Sequence, residues 1–185
     1  MDTLEAIFSR QSIGEVKPDP LPRELIEKLL CAAVQAPNHH RVRPWRFVVL
    51  TGAGRERLGE VLARSFAEKF PQAPASAQEK ERARLLRAPV IIAVGVDKPS
   101  EPRIVDVENI CAAAAAVENL LLAAQALGLA AKWRTGDDSR NPLVKEFLGF
   151  AADQHLIALI YLGFPAVETG TVTRPGFEDR TVWME

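Results

Sequence analysis

Apolar residues recur along this chain at two spacings, which separate the predicted helices from the predicted strands. Periodicity and capping predict helices at about residues 3–10, 22–36, 55–70, 78–87, 106–127 and 142–148. Short apolar runs predict strands at residues 46–51, 90–96, 130–134 and 156–162. Helices that flank about four strands predict an α/β (α+β) layered fold, with helices covering a central sheet. At 185 residues the chain is long enough for one sizeable core, so we expect a single domain over residues 1–185.

The apolar run at 110–131 is about as long as a bilayer span. Glu118, Asn119 and Gln125 interrupt this run, and charged groups at mid-span are rare and costly. A helix that is apolar nearly all round is typical of a buried core position. We therefore expect the central buried helix of a soluble protein, with no membrane partner.

The overall charge is close to balanced, with 23 basic and 24 acidic residues and a formal net charge of −1. This balance gives no electrostatic footprint for nucleic acid or for an anionic membrane. Cys31 and Cys111 fall in apolar helical stretches, so we expect buried, inert thiols. The residues at 1–5 lack the basic start and apolar block of a signal peptide, which favours a cytoplasmic location.

One loop is unusually rich in hydrogen-bond donors. It follows the helix that stops at Pro37, precedes the strand at 46–51, and carries Asn38, His39, His40, Arg41 and Arg43. Loops held between packed elements often carry binding groups, and a polar anionic cofactor would use such donors. Two adjacent histidines without a nearby cysteine or carboxylate do not make a zinc site. The chain also has no G-x-G-x-x-G turn and no P-loop lysine motif.

Three segments carry a recognisable pattern in a fixed order. They are Arg10-Gln11-Ser12 with the later Lys17-Pro18-Asp19-Pro20, then Ala36-Pro37-Asn38-His39 with Pro44-Trp45-Arg46-Phe47, and finally Lys132-Trp133-Arg134-Thr135-Gly136. Together with the Gly163-Phe164-Pro165 ending, they resemble the nitroreductase family of flavin enzymes, and most closely its small, minimal members. The chain departs from the family at Gln11 and Gly14, where basic residues are usual.

The resemblance implies a nitroreductase-like layered fold, with a mainly antiparallel central sheet and a long buried central helix. It also implies an FMN cofactor and NADH or NADPH as the electron donor. Flavin chemistry needs phosphate donors, cover for the ring and a positive group near N1 and the C2 carbonyl, but no protein nucleophile and no metal. The cofactor-binding residues implied are Arg10, Gln11, Ser12, Gln35, Asn38, His39, Arg43, Lys132, Trp133, Arg134 and Gly136.

Within the loop, we expect His39 rather than His40 to face the flavin, because adjacent residues of an extended segment project in different directions. By resemblance, the protein is a homodimer with flavin at the subunit interface. The resemblance also implies that it reduces nitroaromatic, quinone or similar small-molecule acceptors by ping-pong hydride transfer. Two alternatives stay open, namely a flavin-binding carrier or sensor without efficient turnover and a scaffold protein without cofactor.

Overall fold

The computed structural model describes all 185 residues, and its elements follow the predicted order. The strands are β1 (Trp45–Leu50), β2 (Val90–Val96), β3 (Ala130–Arg134) and β4 (His155–Gly163). The helices are α1 (Thr3–Ser9), α2 (Arg23–Ala33), α3 (Ala53–Lys69), α4 (Ala75–Ala83), α5 (Asp106–Ala126), α6 (Asp137–Arg140) and α7 (Pro142–Phe147). The short helix α6 was not predicted. The segment predicted as one helix at 78–87 is α4 followed by a 3-10 turn at Arg84–Arg87.

The four strands form one sheet in the order β1-β2-β4-β3, and every neighbouring pair is antiparallel. This confirms the predicted layered fold with a central antiparallel sheet. The two central strands, β2 and β4, are buried along almost their whole length, which explains their continuous apolar sequences. The two edge strands carry exposed or half-buried polar residues, and β4 carries one, His155, at its first position.

Helices cover both faces of the sheet. On one face α2 and α5 close a core of 22 buried residues, and on the other α3 and α7 close a core of 13. Alanines let α5 approach the sheet closely, with Ala113 and Ala116 fully buried. By length and composition alone α5 could cross a membrane. Its buried face packs on the strands, however, as the sequence predicted for the central helix.

The segment after α1 runs along the free end of the sheet. The Ile13 amide donates to the Ala131 carbonyl at 3.1 Å, and the Lys17 amide donates to the Phe164 carbonyl at 2.8 Å. Gly163 permits this close approach, since a Cβ there would lie 2.8 Å from the Cβ of Val16. These contacts place residues 10–14 beside the edge strand β3.

The prediction that both cysteines are buried was wrong. Cys31 and Cys111 are free thiols on the exposed sides of α2 and α5. A helix that is apolar nearly all round gives no sequence signal for which of its faces meets the core. The same outward side of α5 also exposes Val107, and α1 beside it exposes Leu4 and Phe8 at 62% and 70%.

Candidate functional site

The end of α1 brings Arg10 onto α5. A capping box between Asp2 and Glu5 starts the helix, and the backbone of Arg10 leaves it in an extended conformation. The Arg10 Nε atom then lies 3.5 Å from the Glu118 carboxylate. Ser12 follows with an exposed hydroxyl that makes no hydrogen bond within the chain. Arg10 and Ser12 therefore present donors at one point near the C-terminal half of α5.

The C-terminal segment adds a second guanidinium at this point. Arg174 donates from Nη1 to the Phe8 carbonyl at 3.2 Å and from Nη2 to the Arg10 carbonyl. Gln11 holds the same segment by donating to the Gly170 carbonyl at 2.9 Å. Sequence reasoning missed Arg174, because an arginine in a polar, extended tail gives no spacing signal.

Lys132 approaches the same segment from β3. A Cβ added to Gly14 would lie 3.2 Å from Lys132 Cδ and 3.4 Å from Nζ, so the lysine side chain lies directly over Gly14. Lys132 is half-buried. Basic side chains thus lie along the segment at residues 10–14, with Arg10 and Arg174 at its start and Lys132 over Gly14, and the exposed hydroxyl of Ser12 lies between them in sequence. Such a donor set suits an anionic, phosphate-bearing ligand.

The donor-rich loop is tightly folded. Residues His39–Arg41 form a 3-10 turn, and His40, Arg41 and Arg43 all have positive φ angles, of 53°, 57° and 51°. Such angles are strained for residues other than glycine, and strain of this kind clusters at functional sites. Asn38 stabilises the turn by accepting the Arg43 amide at 2.8 Å. The Asn38 side chain is therefore partly used in holding the loop.

The expectation of an extended loop was wrong. Because His40 adopts a left-handed conformation, its ring packs edge-on against that of His39, with centroids 4.1 Å apart. Both histidines and Arg43 remain exposed, and so does Gln35, whose side chain donates to the Cys31 carbonyl at 3.3 Å. These side chains stay accessible to a ligand or a partner.

Within one chain, the loop is anchored at the start of α5 and Arg10 contacts the middle of the helix. The Pro44 carbonyl accepts from the Asp97 amide at 2.7 Å, and Asn109 in the first turns of α5 donates to the Asp97 carbonyl at 3.1 Å. Arg10 contacts Glu118, which lies about 13 Å further along the helix at a rise of about 1.5 Å per residue. No hydrogen bond or ion pair within one chain joins the side chains of this loop to Arg10, Lys132 or Arg174.

An ion cluster borders the loop at the start of α5. His155 Nε2 lies 2.7 Å from Asp106 Oδ2, and Lys98 Nζ lies 3.7 Å from Asp106 Oδ1. The hydrogen bond from His155 lowers the pKa of Asp106, and the charge of Lys98 acts in the same direction. No group of three or more His, Cys, Asp or Glu side chains is arranged to hold a metal ion.

The third predicted segment leads from β3 into α6. Trp133 is half-buried on the core and donates from Nε1 to the Ile157 carbonyl at 2.9 Å. Gly136 has a φ of 100°, which only glycine adopts readily, and it turns the chain into α6. Arg134 lies over the Tyr161 ring at 5.6 Å, and burial raises the pKa of that tyrosine.

Comparison with known proteins assigns this chain to a family. The sequence model of the nitroreductase family matches residues 7–164, from α1 to the end of β4. This chain belongs to the nitroreductase family. The Escherichia coli protein YdjA, named as an NAD(P)H nitroreductase, is 31% identical over 172 residues, which is 92% of each chain.

Solved structures share the nitroreductase architecture. A nitroreductase-like family protein of Bacillus cereus superposes with a TM-score of 0.87 at 25% identity, covering 100% of this chain and 97% of its own. A nitroreductase of Desulfovibrio desulfuricans, solved in complex with FMN, superposes with a TM-score of 0.77 at 26% identity, covering 100% and 98%. The resemblance found in the sequence is thereby confirmed for family and fold.

Proposed function

We propose that this protein is an FMN-dependent NAD(P)H oxidoreductase, built as one domain over residues 1–185. The observation that carries the proposal is the row of donors along residues 10–14, where Arg10 and Arg174 meet, Ser12 has an exposed hydroxyl and Lys132 lies over Gly14. Family membership supports the reaction class, and the FMN in the Desulfovibrio relative supports the cofactor. Nitroaromatic compounds, quinones or similar molecules are the proposed acceptors.

The residues fit FMN by the chemistry of their donors. Arg10, Arg174 and Ser12 would hold the phosphate, since guanidinium groups and hydroxyls bind phosphate oxygens with charge-assisted hydrogen bonds. Glu118 is the one carboxylate within 4.0 Å of these basic groups. When bound, FMN supplies a ring that accepts a hydride from the nicotinamide and later donates one to the acceptor, in a ping-pong sequence.

The free edge of β3 is suited to the flavin ring. The Ala131 carbonyl points to this edge, where it accepts from Ile13. Because strand backbone groups alternate with a period of two, the Trp133 amide and carbonyl face the same edge. These groups can bond the polar rim of a ring and fix its orientation. Gly136 and the turn after β3 would lie beside the ring.

We also propose a homodimer in which each site takes its basic cluster from one subunit and its loop from the other. The loop is anchored near Asn109 and the cluster near Glu118, so a second, antiparallel copy of α5 brings the two sets together. The exposed Val107, Leu4 and Phe8 give this face the apolar character of an interface. By this proposal His39 and Arg43, with Gln35 and Asn38, reach the partner's flavin.

Gln11 and Gly14, where basic residues are usual in the family, would favour a flavin carrier without turnover if nothing replaced those charges. Gln11 holds the C-terminal segment that supplies Arg174, and Gly14 gives room to Lys132. Both positions thus contribute to the cluster in another way. We therefore retain turnover as part of the proposal.

The visible absorption spectrum of the purified protein is the first test. We expect a yellow protein that releases about one FMN per chain on denaturation, because one basic cluster is built per chain. Anaerobic stopped-flow mixing with NADH or NADPH should then bleach the flavin, and an added quinone should restore the colour. Colourless protein that takes up no added FMN refutes the proposal. Bound FMN that neither NADH nor NADPH reduces would support the alternative, a flavin-binding carrier or sensor without efficient turnover.

A further inference from the structure

Tyr161 carries a buried hydroxyl group that has no partner within the chain. The side chain is 2% exposed and belongs to the core of 13 residues, where β4 places it between Ile91 of β2 and Lys132 of β3. No donor or acceptor of the protein forms a hydrogen bond with its hydroxyl. Burying a hydroxyl without a partner is unfavourable, and such groups are rare in native proteins. The Tyr161 hydroxyl is therefore suited to an atom from outside the chain.

Two arginines without carboxylate partners flank this tyrosine. The Cζ atom of Arg87 lies 5.8 Å from the centre of the Tyr161 ring, and that of Arg134 lies 5.6 Å from it. Arg87 uses only its Nε atom, which donates to the Arg84 carbonyl at 3.0 Å. Arg134 makes no side-chain hydrogen bond or ion pair within the chain. Both guanidinium groups thus keep their terminal N–H donors for a ligand.

Arg84 belongs to the same cluster but is already paired. Its Nη2 atom donates to Asp138 at 2.8 Å, and its Nε atom lies 3.0 Å from the Glu81 carboxylate. Burial raises the pKa of Tyr161, and the charges of the three nearby arginines oppose this rise only in part. The tyrosine hydroxyl therefore stays protonated at neutral pH, where it can donate a hydrogen bond.

The cluster lies on the opposite face of the sheet from the Arg10 and Arg174 pair. Arg10 contacts Glu118 of α5, and α5 covers the core of 22 residues. Tyr161 and the turn that carries Arg87 pack in the core of 13 residues on the other face. A phosphate group that is held by Arg10 and Arg174 therefore leaves the donors around Tyr161 free.

A phosphate group matches these donors in charge and in number. Two guanidinium groups present several N–H donors in planar forks, and the tyrosine hydroxyl adds one more. A phosphate monoester carries about −1.5 to −2 charges at neutral pH on three terminal oxygens, whereas a carboxylate has one charge on two oxygens. A water molecule would satisfy the hydroxyl but would balance neither positive charge. The donor set therefore favours phosphate over a carboxylate or a water molecule.

We propose that Arg87, Arg134 and the Tyr161 hydroxyl form a second anion site, which binds a phosphate group other than that of the flavin. The same chemistry has two sources, the 2′-phosphate of NADPH and a free phosphate ion. Arginine side chains commonly recognise the 2′-phosphate of NADP. If NADPH is the source, the cluster makes the enzyme prefer NADPH to NADH. Arg134 was also predicted to contact the flavin, so Arg87 and Tyr161 are the residues to test.

Calorimetric titration of inorganic phosphate into FMN-saturated protein tests the site, because bound FMN then occupies the Arg10 and Arg174 pair. Chloride should hold the ionic strength constant. We expect Arg87→Met and Tyr161→Phe each to weaken phosphate binding on the order of tenfold, as for one lost charge-assisted hydrogen bond, and to leave FMN affinity unchanged. Arg57→Met is the matched control, because Arg57 is exposed on α3 without a side-chain hydrogen bond or ion pair.

Steady-state kinetics with NADPH and with NADH separates the two sources. If the phosphate belongs to NADPH, both variants should lower kcat/KM for NADPH on the order of tenfold and leave that for NADH unchanged. If it is a free ion, both variants should lose phosphate affinity while the ratio of the two kcat/KM values stays that of the wild type. Either result supports the site.

The proposal is overturned if neither Arg87→Met nor Tyr161→Phe changes the phosphate affinity or the preference for NADPH. It is also overturned if acetate binds as tightly as phosphate. Tyr161→Phe should fold at least as stably as the wild type without phosphate, since it removes only an unpartnered hydroxyl. If that variant does not fold, Arg87→Met decides. Protein that takes up no FMN refutes the proposed function alone, because phosphate can then be titrated into Arg10→Ala, which keeps the cluster around Tyr161.

Discussion

Two groups of donors contact α5 and are assembled in different ways, although the proposed flavin needs both. At the C-terminal half, Arg10 and Arg174 come from distant parts of the sequence and meet through tertiary contacts. At the N-terminal end, the His39–Arg43 loop is shaped locally, by three positive φ angles and the Asn38 side chain. Long-range packing thus brings the two arginines together near Glu118, whereas local backbone strain shapes the loop near the start of α5.

The largest effect is expected from Arg10, which lies in the basic cluster. Arg10→Ala should weaken FMN binding by about 1.5–3 kcal/mol, the usual range for hydrogen bonds to charged groups. Fluorescence titration measures the change. Arg57→Ala is the control, since Arg57 is exposed on α3 and makes no side-chain hydrogen bond or ion pair. Arg55 is unsuitable, because its Nη1 donates to the Ala88 carbonyl at 2.6 Å. Equal losses in the two variants would remove Arg10 from the site.

Mixing two defective variants tests whether the basic cluster of one subunit and the loop of the other form one site. In a two-fold dimer, Arg10→Ala and His39→Ala subunits together form one damaged and one intact site. Random reassortment should therefore restore about a quarter of the sites, read as NADH-driven flavin bleaching. Arg10→Ala mixed with Lys132→Met is the control, because both residues belong to the same half-site. If neither mixture regains flavin bleaching, the loop serves the site of its own subunit and not that of its partner.

A smaller effect is expected from the two histidines of the loop. His39→Ala should slow flavin reduction or loosen FMN more than His40→Ala. The two rings pack on each other, so His40→Ala also removes a contact that orients His39, and its effect should be weaker rather than absent. Both variants should be compared at matched thermal stability. An effect confined to His40 would show that the other histidine faces the ligand.

The smallest effect concerns the ion cluster that borders the loop. His155 lowers the pKa of Asp106, so this carboxylate stabilises the fold above the ordinary aspartate pKa of about 4. The stabilisation is lost as the pH falls through the lowered pKa of the folded state. Asp106→Asn should cost about 1 kcal/mol or less at pH 7, and less below pH ~4. Urea unfolding measures this, with exposed Asp153→Asn as control. A cost that persists at low pH would exclude the charged pair as its source.

Much of the fold could be predicted from local patterns. The four strands and the long helices follow from apolar runs, periodicity and caps, because each signal lies within the element it predicts. Helix α6 has only four residues, and long-range bonds hold it. Asp137 pairs with Lys69 at 3.2 Å and Asp138 with Arg84 at 2.8 Å. No local pattern predicts such an element.

The site was only partly predictable for the same reason. Arg10, Ser12 and Lys132 were named from their segments, and the fold places Lys132 over Gly14 on the segment that carries Arg10 and Ser12. Arg174 and the pairing of Lys132 with Gly14 depend on contacts between residues more than a hundred positions apart. The exposure of Cys31 and Cys111 depends on which side of each helix meets the core. Their sequence neighbours do not determine any of these features.

The strand order bears on when the chain can acquire its ligand during synthesis. β4 follows the other three strands of the sheet in the sequence, yet it is the strand that joins β3 to the rest of the sheet. The edge that would carry the ring cannot form before β4, and Arg174 follows later still. Non-local strand pairing of this kind is slow to form. Capture of the proposed cofactor would therefore follow the synthesis of both β4 and the segment that carries Arg174.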